Sequence, residues 1–127
     1  MGAIEDVVAQ LRARGINAEE MPVASEPNSR FVLLREFEID VGRLSGTRAD
    51  IAIRLPKDFP VSGPTGMDTK PHLCQITGGQ PSAIHKSPVG NEWAYWSRPF
   101  AEWPSSAKDL DAVMGWFRRV LKNAPAS

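Results

Sequence analysis

Cys74 is the only cysteine of the chain, and His72, one of its two histidines, stands two positions before it in KPHLCQITGGQ. A thiol beside an imidazole pairs a nucleophile with its base. The thiolate is the attacking species, and a neighbouring histidine either takes its proton or stabilises the anion. In extended backbone, residues two apart point to the same side, which would bring His72 to the thiol. Three readings stand open for Cys74: a nucleophile, a metal ligand, or a small apolar residue in a core, where free cysteines are common. His72, Cys74 and His85 offer three ligands, but their spacing matches no common zinc pattern, so no metal centre is expected. His85, in AIHKSPVG, reads as a surface loop residue that meets Cys74 only if the loop folds back. Asp58 and Asp68 read as solvated turn formers. Ser97 is either an alternative nucleophile or a hydroxyl that ties down its loop. Arg98 is expected on a nearby carboxylate or carbonyl.

The elements that must position these residues follow from the hydrophobic pattern. Ile4, Val7, Val8 and Leu11 recur at helical spacing, and Gly15 is a suitable stop. A short strand is expected near AEEMPVA, and SEPNS is a turn. In FVLLREFEIDV, Phe31, Leu33, Phe37, Ile39 and Val41 share one parity while Glu36, Glu38 and Asp40 take the other. That predicts a strand with one buried and one wet face. Ile51, Ile53 and Leu55 alternate in the next strand. Pro56, Pro60 and Pro64 are expected to end the sheet, leaving a long, ordered Pro/Gly-rich loop across residues 56–104. The final helix carries Leu110, Val113, Met114, Phe117, Val120 and Leu121 as its stripe. Ser105 or Ser106 is its expected cap, with Asp109 and Asp111 near the positive end of the dipole.

The order is helix, antiparallel meander, long Pro/Gly loop, aromatic segment, helix. It predicts one α+β domain over residues 1–127. Fifteen basic and fifteen acidic residues cancel, so no global field favours nucleic acid or an anionic membrane. No apolar run is long enough to span a bilayer. The acidic N-terminus does not resemble a secretory leader, and a lone cysteine fits the cytoplasm. Trp93, Tyr95, Trp96, Phe100 and Trp103 crowd one segment with few basic neighbours. That favours rings pinning a loop over bases stacking on rings.

Three stretches, IRLPKDFPVSGP, WAYWSRPFAEWP and EWPSSAKDLDAVMGWFRRVL, occur in an order that resembles the ubiquitin-conjugating (E2, UBC) fold. More narrowly the chain resembles a bacterial branch of E2-like proteins, close to prokaryotic E2 family E. The resemblance covers roughly residues 1–124. It implies a UBC-like fold: an antiparallel β-meander flanked by N- and C-terminal helices, with a long Pro/Gly-rich loop. It also implies a carrier that takes the C-terminus of a ubiquitin-like protein from an E1-like adenylating enzyme as a thioester and passes it to an amine, without metal or organic cofactor. The family's His-Pro-Asn motif is absent. PHLC falls near its place, with His72 near the histidine position and Cys74 near the asparagine position. VGNEWAYW occupies the stretch where Gly-x-x-Cys is usual, and Trp93 stands about where that cysteine would be. The implied site is therefore Cys74 with His72. The alternative is a catalytically inactive UBC-fold adaptor that binds E1 or the ubiquitin-like protein and keeps Cys74 in its core. An unrelated α+β binding module is a third reading. In E2 proteins the first helix helps contact E1; Arg12 and Arg14 hold the corresponding wet side here, where arginines are also simply solvated.

Overall fold

The computed structural model describes residues 3–59, 62–73, 84–98 and 110–124. Ile4, Val7, Val8 and Leu11 form the buried stripe of α1 (Ala3–Ala13). The helix stops as its sequence predicts. Gly15 takes φ +81, its N–H donates to Arg12 O at 3.0 Å, and the Ile16 N–H donates to Leu11 O at 3.1 Å. This is a Schellman closure, and Ile16 completes it by packing against the core.

Six strands follow: β1 (Ala18–Met21), β2 (Ser29–Glu38), β3 (Arg48–Pro56), β4 (Gly66–Lys70), β5 (Ile84–Lys86) and β6 (Ala94–Ser97). All their pairings are antiparallel, in the order β1-β2-β3-β4-β6-β5. The chain leaves β4, reaches the far edge as β5, and returns as β6 between the two. The architecture is α+β, with α2 (Leu110–Lys122) joining α1 in the main core.

Two expectations about the sheet need correction. The prolines do not end it. Pro56 closes β3 and Pro64 precedes β4, so neither takes a donor away from the inside of a ladder. Three further strands fit within the Pro/Gly-rich region because they are only three to five residues long. Gly66 is what lets β6 lie against β4: a Cβ there would sit 2.3 Å from Trp96 O and 2.8 Å from Tyr95 Cε1.

The second correction concerns β2, which does not bury a single parity. Phe31, Val32, Leu33 and Leu34 are all buried. Val32 and Leu34 face the helices, while Phe31 and Leu33 form a separate cluster with Ala52 on the outer face. A bulge then shifts the register: Leu34 pairs with Ile51 but Phe37 pairs with Ala49. One extra residue is absorbed around Glu36, whose φ is +48 and whose N–H donates to Asp50 Oδ1 at 2.8 Å. Phe37 and Ile39 thereby rejoin the helix face.

Ile51, Ile53 and Leu55 alternate as expected and are fully buried. Trp96 lies at the centre of the helix-side core, donating to Thr69 Oγ1 at 3.2 Å. On α2 the expected stripe holds at Val113, Phe117, Val120 and Leu121 and is widened by Trp116, which donates to Arg98 O at 2.9 Å. The expected caps Ser105 and Ser106, with Asp109, lie outside the described residues. A 3-10 turn (Gly42–Leu44) packs on the end of α2.

Candidate functional site

The ladder of β4 ends at Lys70, and the chain turns out of the sheet through Pro71 and His72, both exposed. Leu73 then returns to the core, 8% exposed, and its carbonyl accepts from Arg43 Nη2 at 3.3 Å. His72 is thus carried between two anchored positions. Its Nε2 lies 3.0 Å from the backbone oxygen of Trp93. A carbonyl only accepts, so Nε2 carries the proton and, in the neutral ring, Nδ1 is the basic nitrogen. Cys74 lies outside the described residues. The chain bounds its distance: two residues span at most about 7 Å. Any approach of His85 to Cys74 also falls outside them.

His85 is not a surface loop residue. It sits in β5, half-buried, with its ring 5.9 Å from that of Tyr95. Asp68 is not a solvated turn former either. It is fully buried in β4, and Arg54, 6% exposed, donates to it from Nε at 2.7 Å and from Nη2 at 3.0 Å. The Ser87 hydroxyl donates to the same carboxylate. The Arg54 guanidinium lies 3.7 Å from the Tyr95 ring centroid and 5.0 Å from that of Phe31, with Glu26 at 3.6 Å. Burial, the largest single influence, pushes its pKa down, but the hydrogen bonds and charge of Asp68, with Tyr95 and Glu26 adding, together outweigh it, and the net shift is upward. The only trace of this pair in the sequence is Asp68 itself, set between Met67 and Thr69 with no turn residue beside it. Asp58 does behave as expected, accepting from Ser62 in an exposed turn.

Three aromatic residues divide between the faces. Trp96 is core, Tyr95 lies against Arg54, and Trp93 is half-buried with Val89, Met21 and Val23 around the outer cluster. Phe100 and Trp103 lie outside the described residues. Arg98 bonds a carbonyl, that of Ser97, at 2.7 Å. Arg12 is not merely solvated: its Nε donates to Ala18 O at 2.7 Å and ties α1 to β1.

Pro71, the residue before His72, also walls an open cavity of about 290 Å³ whose polar lining is Glu36, Arg48, Asp50, Lys70 and Glu92. Its residues come from the β2 bulge, the start of β3, the end of β4 and the turn before β6. No sequence pattern assembles them, because they converge only through the sheet register. Among the described residues, no cluster of three His, Cys, Asp or Glu could hold a metal ion. None of the described helices is long and apolar enough to cross a membrane.

A family model described as Prokaryotic E2 family E matches residues 4–124. The chain matches none of the curated proteins and none of the solved structures compared with it.

Proposed function

Because the chain belongs to prokaryotic E2 family E, we propose that its role in conjugation is that of a cytoplasmic, single-domain UBC-fold carrier. Cys74 is its thioester site. The Cys74 thiolate attacks the carbonyl carbon of a thioester linking a ubiquitin-like protein to an E1-like enzyme. The new thioester forms as the E1 thiol leaves. An acceptor amine then attacks that carbonyl, forms an amide, and releases the Cys74 thiol. His72 Nδ1 takes the proton from the Cys74 thiol in the first step and hands it to the departing E1 sulfur; in the second it takes a proton from the amine and hands it to the departing Cys74 sulfur.

The observation that carries this reading is the family match, which spans nearly the whole chain. The geometry of His72 supports it: the ring is exposed, held by Nε2, and turned out beside the sequence position of the only thiol. A neutral imidazole that donates through Nε2 keeps the Nδ1 lone pair free to accept a proton.

The test is to incubate the protein with its candidate E1-like partner, ATP and a ubiquitin-like protein, and to weigh the products. A thiol-sensitive adduct lost in both Cys74→Ser and Cys74→Ala assigns the thioester to Cys74. An adduct that survives both substitutions moves the chemistry elsewhere, with Ser97 the next candidate. A stable complex without any adduct makes the protein an adaptor.

A further inference from the structure

We infer that the turn between β5 and β6 is a positioning device for His72; the inference builds on the proposed carrier function but is read out on the histidine itself. An exposed imidazole just past a strand end has no reason of its own to keep one orientation, because fixing its rotamer costs entropy. Here the Trp93 carbonyl, 3.0 Å from Nε2, supplies the reason. A bond of this kind fixes both the tautomer and the ring orientation of a working histidine.

The turn that delivers this carbonyl is pinned at both ends. At its start the Ser87 hydroxyl donates to Asp68 and accepts from the Val89 N–H at 3.0 Å. Asp68 is an immobile anchor, fully buried and held by two bonds from Arg54. At its end the Trp93 N–H donates to Gly90 O at 3.2 Å. The Trp93 side chain packs with Val89 against Phe31, Leu33 and Ala52. A line of contacts therefore runs from the Arg54–Asp68 pair through Ser87 and the turn to the imidazole. Ser87 and Trp93 act through His72.

The experiment uses the full chain labelled with ¹⁵N-histidine, at a pH where the rings are neutral, with His85 as internal reference. The expected result is His72 as the Nε2–H tautomer, with that proton exchanging slowly enough to be observed. Ser87→Ala and Trp93→Ala should each lose the proton signal while the amide spectrum stays dispersed. Should Trp93→Ala fail to fold, Ser87→Ala, which removes one hydroxyl, decides alone. In a second arm, Ser87→Ala should slow alkylation of Cys74 by iodoacetamide in the native background and have no further effect in a His72→Ala background. The inference is overturned by an Nδ1–H tautomer, by a Nε2–H proton too labile to see in the native chain, or by one that survives in Ser87→Ala. Equal slowing in both backgrounds also overturns it. If Cys74 proves inert in every chain, the carrier reading fails, and the spectroscopic arm still decides the positioning.

Discussion

Asp68 shows how a single carboxylate can escape a reading based on composition. Aspartate is a common turn residue, and nothing in GMDTK alone says that this one is buried against an arginine. The pair becomes visible only once Ala52 is known to stand opposite Asp68, which puts Arg54 on the diagonal of the same face. Removing Asp68 alone strands a buried cation. Asp68→Ala should cost about 3–5 kcal/mol, read as a lower urea midpoint at unchanged slope. Replacing both partners with apolar side chains, Arg54→Met with Asp68→Leu, should recover most of that loss. If the double variant is no better than the single one, the cost lies in shape rather than in the unpaired charge. The pairing of His72 with Cys74 is proposed, by contrast, on a spacing that is legible in the sequence alone. The carbonyl that holds His72 is not, because it belongs to a residue 21 positions away.

Among the elements, α1 reads directly from the sequence because its periodicity, its acidic first turn and its terminal glycine all agree. Its attachment to the sheet depends on charge as well as burial. Arg30 Nη2 donates to Glu5 Oε1 at 2.7 Å and to Glu20 Oε1 at 2.6 Å. The hydrogen bond from Arg30 holds the Glu5 carboxyl below its ordinary value. Because the folded value is depressed, the stabilisation is present above the unfolded value and is lost as pH falls through the lowered one. Glu5→Gln should therefore unfold at lower urea than the native chain near neutral pH. The two midpoints should converge in acid, and high salt should narrow the neutral-pH gap. The 3-10 turn offers a steric counterpart. Gly42 has φ +69, and a Cβ there would stand 2.9 Å from Lys122 O. Gly42→Ala should cost roughly 1–3 kcal/mol by thermal melting. Gly46→Ala, at φ +90 but with open space around the new methyl, should cost less. β5 and β6 were hidden for a different reason. Three- and four-residue strands leave too few alternations for a period to show, and Pro and Gly at their flanks read as breakers.

For the molecule as a whole, the sequence supports α+β and the outer ends of the topology but not a sheet buried on both sides. The helix side holds the large core, with Trp96 and Trp116 in it. The outer side holds Phe31, Leu33 and Ala52 under Trp93 and Val89. The outer cluster draws on β2 and β3, which also carry Val32, Leu34, Ile51 and Ile53 of the helix side, so neither side can loosen without the other. Urea unfolding followed by tryptophan fluorescence and by far-ultraviolet circular dichroism should give one coincident transition. A fluorescence change preceding loss of secondary structure would show that the outer turns open as a separate unit.

The bulge in β2 carries a consequence for insertions and deletions. Losing one residue from a half-buried strand normally turns everything beyond the gap inside out. Here the chain has one residue more than its partner strand can match: three steps from Leu34 to Phe37 face two from Ile51 to Ala49. Deleting Glu36 therefore leaves Leu34 and Phe37 on the same face in a regular ladder, with both halves of the strand still in frame. Deleting Val32, four positions earlier, reverses the faces on one side of the gap. The shortened chain lacking Glu36 should fold, and the one lacking Val32 should not. What the tolerated deletion removes is a carboxylate from the rim of the cavity that Pro71 walls, one residue before His72. The fold can do without the surplus residue, so the effect of its loss is to be read in the cavity it lines rather than in the fold.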